Sequence, residues 1–345
     1  MENVNISYEN SGISELEKGF LNILPSGYES YVDISRLSEL GLDALVREVI
    51  AIASGRSGEV ASFFMLVLGV SLIASLASFV SSPISPAVRG GVAAAASLAV
   101  FLALYPLFEA TAESLEALTG FFSALVPTLT AYLALGGGSA SALGAASGLS
   151  LTLWFTALIG GSLLLPLTAA SFASSTVSST LGGVSERVGI GVGRSVKRVI
   201  GGVGAVLAAV FSLQTFVSVA ADGVKMRAAK YAAGNLIPMV GSSVSGALSA
   251  LGGGLSAVGG IIGASSVAVI VAMSLSPLVL LLLYRLALYL SSVALELSSS
   301  GADGPIKSFM NSLDILISVY ITTIIIYIFE IILIVKGGAA VFGAT

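Results

Sequence analysis

Val60–Val80 contains no charged residue, and Ile315–Val335 contains only Glu330. At a helical rise of about 1.5 Å per residue, either run is long enough to cross a bilayer core of about 30 Å. The rest of the chain does not read as a soluble surround for such runs. Only 10% of the 345 residues are charged and 56% are hydrophobic, whereas a soluble domain carries roughly 25% charged residues. So few charges cannot cover the surface of a water-soluble domain of this size. The sequence is that of an all-α, polytopic helical membrane protein.

Further apolar segments follow the first: Gly91–Phe108, Phe121–Leu135, Leu149–Ala170, Val199–Ala220, Ala264–Leu290 and Asp314–Val335. With Val60–Val80 they predict about seven spans. Leu236–Gly263 is built almost wholly of Gly, Ser, Ala and small aliphatics, with Pro238 near its start. It reads as either a tightly buried span or a re-entrant pair of half-helices, because irregular backbone at membrane depth must be enclosed by protein or line a water-filled cavity. The 40 glycines suit helices that approach one another closely in lipid. A shift of 111 residues places Pro127 on Pro238, Gly148 on Gly259 and Pro166 on Pro277 without a gap. That is the pattern of an internal repeat, with units at about 121–220 and 232–335. Matched, Gly/Pro-interrupted segments in two repeats point to a substrate path between them.

Residues 1–58 form a separate region ahead of a membrane domain over 59–345. Residues 1–59 hold ten of the nineteen acids but four of the fifteen basic residues. Leu16, Phe20, Leu21 and Leu24 mark a short helical face ended by Pro25-Ser26-Gly27. From about Ile34 to Ser54, an apolar stripe of Ile34, Leu37, Leu45, Val49 and Ile52 opposes Arg36, Glu39, Asp43 and Arg47. This amphipathic helix is expected to lie on the membrane domain as a cap, or on a partner. The opening residues have no basic stretch followed by an apolar one, so they do not read as a secretory signal. The positive-inside rule marks both 186–198, with Arg187, Arg194, Lys197 and Arg198, and 222–230 as cytoplasmic, although only Val199–Ala220 separates them. Either that segment is not a simple crossing or one loop breaks the rule, and 222–230 is the loop taken as cytoplasmic. The acidic region 1–58 and a loop carrying Glu109, Glu113 and Glu116 are then expected outside.

Enzymatic chemistry finds little to work with. There is no Cys and no His, which removes thiol nucleophiles, imidazole bases and most zinc and haem ligation. No Gly-Lys-Ser/Thr follows a glycine-rich turn, and Gly189-Ile190-Gly191-Val192-Gly193 lacks dinucleotide-binding spacing. Glu109, Glu113 and Glu116, at i, i+4 and i+7, read as a solvated acidic face. No catalytic residue, cofactor, metal site or nucleic-acid partner is expected; the bilayer itself is the one partner the residues demand. Two charges fall in apolar surroundings, Arg285 and Glu330. Intramembrane charges usually face the protein interior or a water path. They are read either as a buried Arg285–Glu330 pair or as side chains reaching separate interfaces beside Tyr284, Tyr289 and Tyr327.

The most distinctive stretch is Ala221–Gly241, a short basic helix with a small face (Ala228, Ala229, Ala232, Ala233), followed by Asn235 and the helix-breaking Pro238. It resembles the signature region of the stage III sporulation protein AE family of endospore-forming bacteria. Asp222, Gly223, Lys230, Tyr231, Asn235, Pro238 and Gly241 match that pattern. The likeness extends over nearly the whole chain, through the amphipathic region, Pro127–Gly137, Ser276-Pro277 and Tyr284-Arg285. Members typically begin with a secretory signal. The resemblance implies a non-enzymatic, multi-pass component of the channel or secretion-like complex linking mother cell and forespore. The implied location is the mother-cell membrane around the forespore. The implied partners are other stage III sporulation A-operon proteins, including a cytoplasmic ATPase and intermembrane ring proteins, and the chain is a possible homo-oligomer. Pro127, Gly136, Gly137, Pro238, Gly241 and Pro277 are then conduit or helix-contact candidates, with Arg285 and Glu330 beside them. Asp222, Gly223, Lys225, Arg227, Lys230 and Asn235 are docking candidates. The alternative is a stand-alone secondary transporter with broken helices.

Overall fold

The structure is a computed structural model that describes residues 18–28, 42–80, 86–135, 139–157, 241–297 and 304–342. Among these residues every regular element is helical: α1 (18–22), α2 (Leu42–Gly55), α3 (Ser57–Val80), α4 (Pro86–Leu135), α5 (Ser139–Ala157), α6 (Gly241–Leu297) and α7 (Gly304–Phe342). Four of them, α3, α4, α6 and α7, contain stretches long and apolar enough to cross a membrane. Of the expected spans, Leu149–Ala170 is described only as far as Ala157, and Val199–Ala220 lies outside the described residues.

The short α1 ends where the sequence predicts. The Tyr28 amide donates to the Pro25 carbonyl at 3.1 Å, closing a four-residue turn. Gly27 adopts φ +94° within it, a conformation that residues with a Cβ rarely adopt. Phe20 is thereby driven into the core, with Ile23, Leu24 and Tyr28 packed against its edge. Helix α2 realises the described part of the amphipathic pattern. Leu45, Val49 and Ile52 are half-buried while Asp43 and Arg47 face out, and the helix packs against α6 and α3.

Helix α4 departs from expectation. Gly91–Phe108 and Phe121–Leu135 are not separated by an acidic loop; they belong to one helix of 50 residues, about 75 Å long. The reason lies in the intervening sequence. Ala, Leu and Glu there are strong helix formers, and an apolar face continues through it. Phe108, Thr111, Leu115, Leu118, Phe122 and Leu125 are all buried at spacings of three and four. Glu109, Glu113 and Glu116 occupy the opposite, exposed face. Pro106 and Pro127 lie inside the helix, each removing one amide donor without ending it.

Helix α6 is equally continuous. From Gly241 through Pro277 to Leu297 it runs 57 residues, so the described part of the small-residue segment is helix and not two half-helices. Four contacts fix its relation to α7. Lys307 pairs with Glu296 at 2.8 Å, Arg285 with Asp314, Tyr320 with the Ser274 carbonyl at 3.5 Å, and Gly263 abuts Val335. The numbers fall on α6 as they rise on α7, so the two helices form an antiparallel hairpin. Helix α6 also packs against α2, α3 and α4, while α7 packs against α4, α5 and α6. At the α3–α6 contact, Tyr284 donates to Glu59 at 2.9 Å, and its ring lies 4.7 Å from that of Phe63.

Candidate functional site: a polar seam along the last helix

Helix α7 buries a row of polar side chains on one face. Tyr320, Thr323, Tyr327 and Glu330 are spaced three, four and three residues apart, so they stack along one side. All four are buried, Glu330 to 4% exposure. Each polar atom entering an apolar interior needs a partner there, because desolvation without a hydrogen bond is costly. The described neighbours supply most of them.

Tyr320 donates to the Ser274 carbonyl of α6, so in the 2.7 Å contact with Ser114 of α4 the serine hydroxyl is the donor. One turn and a half further along α4, Thr119 donates to the Leu115 carbonyl at 2.7 Å. The Tyr327 hydroxyl therefore donates to Thr119 at 3.0 Å. Phe122, almost one turn beyond Thr119, stacks on the Tyr327 ring at 4.1 Å and 14°, a geometry that adds stabilisation beyond buried area. One turn beyond Tyr327, Thr152 of α5 donates to Glu330 Oε1. Thr156, the next turn of α5, returns its hydroxyl to the Thr152 carbonyl at 2.8 Å. Glu330 Oε2 is buried and makes no hydrogen bond among the described residues. The pairs Ser114–Tyr320 and Thr119–Tyr327 rise together, so α4 runs parallel to α7. The seam lies between α4, α5 and α6.

Arg285 and Glu330 do not pair. Arg285 binds the Asp314 carboxylate through Nε and, at 3.5 Å, through Nη2. Asp314 lies sixteen residues before Glu330 on α7, about 24 Å along the helix. The antiparallel register forbids the expected contact: a residue at 285 on α6 meets α7 near its start. The guanidinium is about 39% exposed, so Arg285 sits at the rim and Glu330 deep inside.

The other sequence candidates are less concentrated. Pro127 lies on the exposed face of α4, where Thr130 binds the Val126 and Pro127 carbonyls at 2.9 and 3.0 Å. Pro277 is half-buried inside α6, and Gly241 is the first residue of that helix. Asp222, Gly223, Lys225, Arg227, Lys230, Asn235, Pro238, Gly136 and Gly137 lie outside the described residues. Thr119, Thr152, Asp314 and Tyr327 were not among the sequence candidates. The periodicity of tyrosines and carboxylate on α7 was the available signal, since it is visible as spacing alone. Among the described residues no three Asp or Glu side chains gather as a metal site.

A second concavity, with a cavity volume of about 560 Å³, separates α2 from α6. Leu45, Glu48 and Ile52 face Ala264, Ala268 and Ala272 across it, with Tyr28 at its edge. The small side chains on α6 leave this space open.

The family model described as stage III sporulation protein AE matches residues 24–338. No curated protein matches the chain, and no solved structure matches it.

Proposed function

Because the chain belongs to the stage III sporulation protein AE family, we propose that it is the membrane-embedded component of the channel or secretion-like complex linking mother cell and forespore. The chain is a sporulation-related membrane protein; the family match over 24–338 is the observation that carries the finer reading. The four long apolar helices support a chain that crosses the mother-cell membrane several times.

In this reading the protein has no catalytic step of its own. A cytoplasmic ATPase supplies the energy and intermembrane ring proteins continue the conduit. The basic stretch Asp222–Lys230 docks the cytoplasmic partner, and residues 1–58 face the intermembrane space. Pro127–Gly148 and Pro238–Gly263 line the conduit or make its central helix contacts. The extended lengths of α4 and α6 suit this role, because both outrun a bilayer core and can reach partners beyond it.

The chain contains no native Cys, so single cysteines across Gly241–Gly260 report accessibility directly. In the assembled complex a conduit lining gives reactive positions at helical spacing toward a membrane-impermeant thiol reagent. Uniform protection would reduce the protein to a scaffold.

A second reading, a stand-alone secondary transporter, is favoured by one observation, the carboxyl of Glu330 buried among hydroxyls. Saturable, gradient-driven uptake of one solute by the purified chain in liposomes would establish it against the channel reading.

A further inference from the structure

Glu330 is the buried carboxyl for which the described structure supplies an incomplete shell. Oε1 accepts from Thr152, and Oε2 is buried without a hydrogen bond among the described residues. Among the described residues the surroundings offer oxygen rather than charge. On α7 the nearest titratable group is the Tyr327 phenol, which is committed to Thr119. On α5 the groups are Thr152 and Thr156. On α4, Thr119 and the apolar ring of Phe122 lie against Tyr327, the turn before Glu330. On α6 Ser266 donates to its own helix at the Ile262 carbonyl, 2.6 Å away. Among the described residues Arg56 pairs with Glu59, Arg285 with Asp314 and Lys307 with Glu296. Lys336 is exposed.

An ionised carboxylate in an apolar interior requires a positive partner. A divalent cation would call for further carboxylates, and none gathers here among the described residues. A single positive charge balances a single carboxylate, and the hydroxyl oxygens nearby are the ligands that hard, small cations prefer. We propose that Glu330 and Thr152, between α5 and α7, form a site for a small monovalent cation, either Na⁺ or a proton on the same carboxyl. The site is independent of the channel reading, because it follows from the contact of α7 with α5.

The test uses the full purified chain in detergent and a hydrophobic carbodiimide, which modifies protonated carboxyls in apolar sites. The modified residue is identified by peptide mass. Glu330 is expected to be labelled in Na⁺-free choline buffer. If Na⁺ is an occupant, labelling falls by about tenfold when Na⁺ reaches about ten times its Kd, as simple occupancy requires. Labelling that ignores Na⁺ assigns the proton as the occupant. Both results support the site.

Thermal unfolding provides a measurement that does not depend on reagent access. The wild-type Tm should shift with Na⁺ or with pH, and Glu330→Gln, which keeps the shape without the charge, should lose that shift. Thr152→Val should weaken Na⁺ protection while Glu330 remains reactive. The proposal is overturned if Glu330 is never labelled and the wild type and Glu330→Gln respond identically to Na⁺ and pH. That is also the result expected if a basic side chain from elsewhere in the chain already neutralises Glu330.

Discussion

Helices α3 and α7 contain apolar stretches of nearly equal mean hydropathy, yet they occupy opposite environments. In α7, 56% of the most apolar window is buried inside the protein; in α3 the figure is 22%. Met65, Leu72, Ile73 and Leu76 of α3 point outward, as lipid-facing side chains do. The buried face of α7 instead carries Tyr320, Tyr327 and Glu330, each hydrogen-bonded to a neighbouring helix. Hydrophobicity alone therefore separates membrane from water but not lipid from protein. The polar side chains make the second distinction, because in lipid they must face partners. Helix α7 is held by polar contacts along its buried face, and α3 by contacts such as those of Glu59 and Phe63 with Tyr284 near its start.

Breaking the contrast should cost most at its centre. Tyr327→Ala removes the ring stacked on Phe122 and the hydroxyl bound to Thr119, and should lower stability by about 3–5 kcal/mol, the range for losing a large buried aromatic. Reversible denaturant unfolding in mixed micelles measures it, and a loss no greater than that of a surface residue would mean that the seam does not hold α7. Next comes Gly263→Val. A Cβ built at Gly263 would lie 2.5 Å from Val335 Cγ2, so either the Val335 side chain or the α6–α7 spacing must give, at about 1–3 kcal/mol. Retention of wild-type stability there would show that the hairpin is looser than the contact implies.

Smaller again is the Arg285–Asp314 pair, whose side chains are 39% and 31% exposed. A double-mutant cycle with Arg285→Met and Asp314→Leu should return a coupling of about 1 kcal/mol or less, as partly solvated ion pairs do. The smallest effect is expected on α3, where Ile73→Ala should change stability by no more than about 0.5 kcal/mol. A large loss at that position would place Ile73 against protein and erase the contrast.

Much of this architecture is legible before any coordinates. The all-helical class follows from the apolar runs, and the end of α1 follows from Pro25-Ser26-Gly27. The stripe of Leu45, Val49 and Ile52 is visible as spacing, and those residues do turn toward the protein. Two features are not legible, for separate reasons. Glu109, Glu113 and Glu116 break a hydropathy window, but they do not break a helix, since charge affects transfer to lipid and leaves helix propensity intact. The boundary drawn through them was therefore a boundary of hydrophobicity only. The partners of Arg285 and Glu330 depend on the antiparallel register of α6 against α7. Register is set by close approaches such as Gly263 to Val335, which no single-helix pattern encodes. Family membership is legible at a different level again, from the Ala221–Gly241 stretch, whereas the seam beside Glu330 is visible only in part.

The central claim is that this membrane protein works within a multi-protein sporulation complex. Affinity purification of the tagged, functional chain from membranes of sporulating cells, with quantification of every co-purifying protein, tests it most directly. The account predicts recovery of a cytoplasmic ATPase and intermembrane ring proteins in fixed ratios, lost when Asp222–Lys230 is neutralised. Recovery of a functional chain free of both, able to move a solute by itself in liposomes, would contradict it.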